Sequence, residues 1–402
     1  MSSFLPIFLQ YELTYKCQSR CIFCYNSKTG KNLNPPVSIT WKIVKKLGEL
    51  NIPHIQLTGG EASLISFLPK IVKYLSNKTT LSLVTNGIKK IDVSPSDLVC
   101  IYISLHGSRA EIHERLTRMP GTYDKICKNI TKYKKEGFSV SLDVLLSSYN
   151  YFDMYNIVKK GYELGVDRIY INRHELGGEG YYSSFLVPNI LQFRQAVDEL
   201  IAAKRDFKID IMFGTAIPFC VYKKMINEFP LPDCGAGFWH ATIDPFGNVK
   251  ICNQAPYNIG NILTDSLEKI WSNKNKIIKE YRSLKWLLPP CDKCLLRKFC
   301  MGGCRVDATC DIKKIATLDV YLRNGLIRTP SKNTQKRLLR TIIRKIREDT
   351  NKYLKEVLKE KDKLRFFKFR HKLYIISPSG IIGVPKRYEK YFTRAYQEIN
   401  TP

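Results

Sequence analysis

Apolar, β-branched runs recur along the first half of the chain, with helical patterns between them. The runs are Ile7–Leu13, His54–Leu57, Thr80–Val84, Cys100–Leu105, Ser139–Leu146 and Arg168–Ile171. Apolar positions fall at helical spacing in Thr40–Leu50, Leu64–Leu75, Tyr123–Glu136, Tyr155–Leu164 and Pro188–Lys204. Strands alternating with helices of this length predict parallel strands joined by crossover helices. Near-continuous apolar strands predict a sheet covered on one or both faces. Residues 1–210 therefore read as one α/β domain.

The pattern then changes twice. Residues 211–324 form a second domain, with short elements and a stretch at 215–310 rich in Cys, Gly, Pro and aromatic residues. Within it, Thr242–Ile251 reads as a β-hairpin around Asp244-Pro245-Phe246-Gly247. Residues 325–402 form a third domain, a basic α+β extension. It opens with a long amphipathic helix or helix pair at 332–363, whose apolar face carries Leu338, Leu339, Ile342, Ile343 and Ile346. Leu364–Ile376 and Gly380–Val384 follow as two strands. No internal repeat and no low-complexity segment interrupts this order.

Composition narrows the function classes. With 44% hydrophobic and 11% aromatic residues, disorder throughout is excluded. No run of about 18 apolar residues is present, so no membrane-spanning helix is expected. The first six residues lack a basic flank and a small-residue cleavage site, so a cytoplasmic protein is expected. The formal charge is +29, and residues 311–402 hold 24 Lys+Arg against 9 Asp+Glu. That basic tail suits an acidic peptide, nucleic acid or an anionic surface. A Lys-rich solvated face is the plainer reading.

Thirteen cysteines in a chain expected in a reducing compartment point to metal or redox chemistry. Cys17, Cys21 and Cys24 share one loop after the first strand. Three thiolates cannot close a four-ligand zinc site. On a [4Fe–4S] cluster they leave one iron open to bind a reactant. A second loop, Thr58-Gly59-Gly60-Glu61, follows the second strand. Its glycines let the backbone approach a ligand, and Glu61 can accept from an ammonium group. Asn86, then Ser104 and His106, then Asn172, Arg173 and His174 close later strands. Polar groups gathered at the C-terminal ends of parallel strands favour a barrel or partial barrel over an open doubly wound sheet.

Cys17-x3-Cys21-x2-Cys24 followed by Gly59-Gly60-Glu61 resembles the radical S-adenosylmethionine (SAM) superfamily over residues 5–205. The resemblance implies a partial (β/α)6 TIM-like barrel. It implies a [4Fe–4S] cluster whose open iron chelates SAM, and cleavage of SAM to a 5′-deoxyadenosyl radical that takes hydrogen from a substrate. Gly59, Gly60 and Glu61 match the segment that holds the SAM amino group, and Ser104 and Asn172 match positions that contact the rest of SAM.

The later cysteines resemble a linked pattern. Cys234-x12-Gly247-x4-Cys252 is followed by Cys291-x2-Cys294-x5-Cys300-x3-Cys304. This is similar to the SPASM extension of peptide-modifying radical SAM enzymes, which carries auxiliary [4Fe–4S] clusters. By the resemblance, Cys234, Cys252 and Cys304 ligate a first auxiliary cluster, and Cys291, Cys294 and Cys300 a second. Cys220 is a candidate fourth ligand for the first. The family's last cysteine falls where this chain has Asp319-Val320-Tyr321-Leu322, leaving Cys310 as a candidate substitute. A zinc ribbon of Cys291, Cys294, Cys300 and Cys304 is the alternative. Asn253 stands where sulfatase-maturating relatives place an aspartate, and an amide is no base at neutral pH.

The expected function is therefore a radical SAM peptide maturase that crosslinks or oxidises a peptide or protein side chain. The expected partners are that substrate, an acidic one suiting the basic tail, and a flavodoxin- or ferredoxin-type electron donor. Asp143, His106, His174 and His240 are candidate bases. The basic tail is a candidate leader-binding element, because many peptide maturases bind a leader through a domain at the other end. Rival readings are an enzyme acting on a small molecule such as a tetrapyrrole side chain, an RNA-modifying enzyme, and a non-catalytic metal scaffold.

Overall fold

The computed structural model describes residues 5–26, 34–50, 52–230, 234–255, 257–308, 319–323, 327, 330–357, 365–369, 372–377 and 380–383, with side chains described as far as Lys345. Seven parallel strands stand in sequential order: β1 (Phe8–Glu12), β2 (His54–Thr58), β3 (Thr80–Thr85), β4 (Cys100–Ser104), β5 (Val140–Leu146), β6 (Arg168–Arg173) and β7 (Asp210–Phe213). Helices α1 (Val37–Glu49), α2 (Leu68–Ser76), α3 (Ala110–Thr117), α4 (Tyr123–Lys135), α5 (Met154–Glu163) and α6 (Ile190–Phe207) lie in the connections. A doubly wound sheet would reverse its strand order part-way. This one runs on without reversal, as a barrel does.

The six strands read from the sequence all form. Two features extend them. β7 pairs parallel with β6, and β8 (His240–Ile243) pairs parallel with β1, from Phe8↔His240 to Tyr11↔Ile243. β9 (Asn248–Lys250) folds back on β8, and β10 (Gly260–Asn261) pairs with β9. β7 and β8 are the outer parallel strands and do not pair with each other, so the barrel is open. Its sheet therefore runs on past residue 210 into the cysteine-rich region.

The β8–β9 turn has a local cause. Asp244 Oδ1 accepts from the backbone N–H of Phe246 and of Asn248, each at 2.9 Å, and Gly247 adopts φ +83°. An aspartate that closes its own turn followed by a glycine in the left-handed region is what this hairpin requires.

Core packing follows the apolar faces. Ile43, Val44 and Leu47 of α1, Ile71, Val72 and Leu75 of α2, and Phe193, Val197 and Leu200 of α6 pack with the inward residues of the strands in one cluster. The long basic helix Lys332–Val357 docks beside them. Its Leu338 and Ile342 bury against Phe219, Ile226 and Leu296, with Cys294 and Cys300 alongside. After it, the expected two strands are three: β11 (Arg365–Phe369), β12 (Lys372–Ser377) and β13 (Gly380–Gly383) form an antiparallel sheet. The run Leu364–Ile376 is divided between β11 and β12, because two strands of matched apolar composition give no periodicity break.

Candidate iron–sulfur and SAM site

The first cysteine loop is built by close backbone packing. Gly60 N–H donates to Thr14 O at 2.6 Å, and Glu61 N–H to Lys16 O at 2.8 Å. A Cβ on Gly60 would stand 2.3 Å from Lys16 O, and one on Gly59 2.5 Å from Thr14 O. Gly59 also holds φ +134°. Only glycine fits either place. The far side of the loop is held by α3, where Arg20 N–H donates to Thr117 O at 3.3 Å and Ile22 N–H to Leu116 O at 3.0 Å.

Cys17, Cys21 and Cys24 line one cavity of about 460 Å³, together with Gly59, Gly60, Ser104 and Asn172. Glu61 does not line it. Its carboxylate accepts from Ser63 N–H (2.9 Å), Thr85 Oγ1 (2.7 Å) and Asn86 N–H (2.7 Å). Glu61 therefore ties the glycine turn to the end of β3 and leaves the cavity wall to the two glycines. The expected direct contact of Glu61 with an ammonium group has no support in this geometry.

Burial raises all three thiols of this loop, Cys24 to about 11. Cys21 is also raised by Cys24 and Cys17. Three crowded, buried thiols become thiolates when a metal supplies the positive charge. The residues thus fit an iron–sulfur cluster.

Cys234, Cys252 and Cys304 line the same cavity. Cys252 and Cys304 each feel Cys234. The β8–β9 hairpin places Cys252, because it lies two residues past β9. Cys304 is fixed through its N–H, which donates to Asp319 Oδ2 at 3.1 Å.

Glu175, which sequence reasoning missed, stands beside this second group. Loss of water pushes its carboxyl up to about 7, opposed by hydrogen bonds from Thr215 and Cys304. Gln254 Nε2 also donates to it. The available signal was its place one residue past Asn172-Arg173-His174 at the end of β6.

The remaining cysteines sort differently from expectation. Cys220, Cys291, Cys294 and Cys300 line a separate small cavity with Phe219 and Leu296. Cys220 was a candidate for the Cys234 group, but the charges that act on it are those of Cys300, Cys291 and Cys294. The turn Val221 N–H to Pro218 O, 2.9 Å, aims this loop at the later cysteines. Cys304 leaves the zinc-ribbon set for the other cavity. Cys310 lies outside the described residues.

All four candidate bases line the large cavity. Burial lowers His106 far below its ordinary value and holds His174 and His240 at about 4. Asp143 is raised by burial to about 6, although Asn172 Nδ2 donates to it at 2.7 Å. His106 Nδ1 accepts from Leu145 N–H at 3.1 Å, which leaves its proton on Nε2. His54 and His113 are buried as well.

Two family models match this chain. The Radical SAM superfamily model covers residues 11–160, and an iron–sulfur cluster-binding domain model, SPASM, covers residues 234–295. This chain carries a radical SAM domain and a SPASM domain. The radical SAM domain binds a [4Fe–4S] cluster and SAM, and the SPASM domain binds auxiliary clusters.

Relatives of this radical SAM enzyme agree in extent. It is 25% identical over 320 residues to the antilisterial bacteriocin subtilosin biosynthesis protein AlbA of Bacillus subtilis (strain 168), covering 75% of this chain and 67% of that one. It is 26% identical to the mycofactocin maturase MftC of Mycolicibacterium smegmatis, covering 74% and 78%. Its fold matches Streptococcus suis SuiB bound to precursor peptide SuiA, with TM-score 0.64, 15% identity and coverage of 78% and 75%. It also matches anSMEcpe with bound AdoMet, with TM-score 0.61, 16% identity and coverage of 79% and 95%. Among the described residues, no helix is long and apolar enough to cross a membrane.

Proposed function

We propose that this radical SAM enzyme is a peptide maturase that removes hydrogen from a peptide or protein side chain, leading to a crosslink or an oxidised residue. The observation that carries the reading is one cavity lined by two cysteine groups, Cys17/Cys21/Cys24 and Cys234/Cys252/Cys304. A side chain held in that cavity shares it with both the site of hydrogen removal and an electron acceptor. Relatives that mature peptides support this substrate class.

In the proposed assignment, Cys17, Cys21 and Cys24 hold the SAM-binding cluster, and Cys234, Cys252 and Cys304 hold the first auxiliary cluster. Bound there, the SAM-binding cluster would supply the electron, and SAM the hydrogen-abstracting power, that the reaction needs. The chain does the rest. Gly59 and Gly60 present backbone at the cavity wall. Ser104 and Asn172 line it with polar groups, and Asn172 orients Asp143. His106, His174 and His240 are neutral near pH 7, so they add no positive charge that would repel the cation SAM. Glu175, poised near neutrality, is the group best placed to take a proton from an oxidised substrate.

A flavodoxin- or ferredoxin-type donor is part of this proposal, as is an acidic substrate segment. The +29 formal charge attracts anionic partners of both kinds. The test is anaerobic incubation of reconstituted enzyme with SAM, dithionite and a pool of short acidic peptides, read by mass spectrometry. Loss of two hydrogen atoms from peptides, matched by 5′-deoxyadenosine, is the expected outcome. Reaction with a reduced tetrapyrrole precursor instead, and none with peptides, would overturn the peptide reading.

A further inference from the structure

We infer that Cys220 is the fourth ligand of the second auxiliary cluster, completing the set Cys291, Cys294 and Cys300 from the loop after β7. This rests on the iron–sulfur reading of the SPASM domain and goes beyond it, because the family pattern takes its last cysteine from downstream. In this chain the downstream place is held by Asp319, whose carboxylate is committed elsewhere. It accepts from Arg173, from Cys304 N–H and from Tyr321 N–H.

The geometry gathers four thiols from two distant stretches. Cys294 N–H donates to Cys291 O at 3.1 Å and Cys300 N–H to Leu296 O at 2.9 Å, which folds the later three into one compact turn. The loop bearing Cys220 closes the cavity from the barrel side, and the backbone N–H of its neighbour Phe219 points at the Cys300 sulfur. All four cysteines line the same cavity.

Arg305, which lines the large cavity beside Cys304, also reaches the second group with its charge. Its side chain is buried, and its Nη1 has no hydrogen-bond partner among the described residues. Its positive charge acts on Cys291 and Cys300. A buried guanidinium left short of partners is unfavourable unless an anion compensates it. A four-iron cluster held by four thiolates is such an anion. Each thiol gives up its proton to solvent as its sulfur–iron bond forms, and no iron changes oxidation state.

The consequence is a division of labour. With four cysteines, the second cluster has no open iron and passes electrons only. The group Cys234, Cys252 and Cys304 has three cysteines with Glu175 at its side, so any open or exchangeable iron belongs there, at the cavity wall. Because Cys220 lies just past β7 and the other three lie near residue 300, the cluster also staples the SPASM region to the open edge of the barrel.

The test uses the full chain carrying Cys17→Ala, Cys21→Ala and Cys24→Ala, so that only auxiliary iron is counted after anaerobic reconstitution. About eight irons per chain are expected. Adding Cys220→Ala should remove between one and four of them and give a three-iron electron paramagnetic resonance signal after mild oxidation, whereas adding Cys310→Ala should leave the count and the spectrum unchanged. Cys220→Ser, of nearly the same size, guards against a folding failure. Its metal-free form should melt like its parent while its loaded form shows shifted resonance values. Retention of about eight irons with an unchanged spectrum in the Cys220 variants, or an equal loss in Cys310→Ala, overturns the assignment of Cys220. A count near zero in the parent overturns it by removing the auxiliary clusters themselves.

Discussion

Arg173 Nη1 donates to Asp319 Oδ1 across 3.1 Å, and both side chains are completely buried. Asp307 pairs with the same guanidinium, and the Tyr321 ring lies 4.7 Å from it. Burial alone would lower the Arg173 pKa, but the two carboxylates overcome it and hold the group charged. Asp307 also accepts from Leu176 N–H at 2.8 Å. This network joins the end of β6 to the segments that fix Cys304.

Breaking it should be costly. Arg173→Met leaves two buried carboxylates without a cation, and loss of about 3–5 kcal/mol is expected. Thermal unfolding of the metal-free chain measures this. A change under about 1 kcal/mol would mean that water reaches the network.

Gly60→Ala tests the packing of the first cysteine loop. The added methyl would meet backbone carbonyl Lys16 O at 2.3 Å, which cannot rotate away. A cost of about 1–3 kcal/mol is expected from overpacking. Iron in the SAM-binding cluster should fall with it while auxiliary iron persists. Full iron with unchanged SAM affinity would contradict the role given to this glycine.

His54 should make the protein acid-sensitive. It is buried between Thr80 Oγ1 (2.9 Å) and Ser82 Oγ (2.8 Å), and burial lowers it from 6.5 to about 4. A depressed histidine gives stability that is present above the unfolded value and lost as pH falls toward the folded one. Roughly 3 kcal/mol should be lost between pH 6.5 and 4. His54→Gln should flatten that slope in a pH series of denaturant unfolding curves, and an unchanged slope would count against it.

Asp143 has the opposite sign. Its folded value near 6 exceeds its ordinary 3.8, so the folded state binds the extra proton and stability falls as pH rises between those values. Its place on the cavity wall discounts the effect to about 1–2 kcal/mol. Asp143→Asn should stabilise the metal-free chain by that amount at pH 7 and by almost nothing at pH 4.

Much of the barrel was legible because β2 to β6 are dense in β-branched residues and end in polar ones. β7 was missed since four residues, Asp210–Phe213, carry too little pattern to be told from loop. α3 was missed because Ala110–Thr117 is short and mostly polar, yet it anchors the cysteine loop. The cysteine spacings around Cys17 and Cys291 were legible, because their local turns fix them. Partnership of Cys220 with Cys291 was not, since it depends on where the β7 loop ends in space. Glu175 offered only its place one residue past Asn172-Arg173-His174. Its environment comes from the SPASM segment folding back onto β6.

The most direct test is 5′-deoxyadenosine released from SAM by the reconstituted chain with dithionite, compared with the chain carrying Cys17→Ala, Cys21→Ala and Cys24→Ala. The intact chain should release it and the triple variant should release none, while retaining auxiliary iron. Equal release from both, or none from the intact chain with its iron in place, would contradict radical SAM chemistry in this cavity.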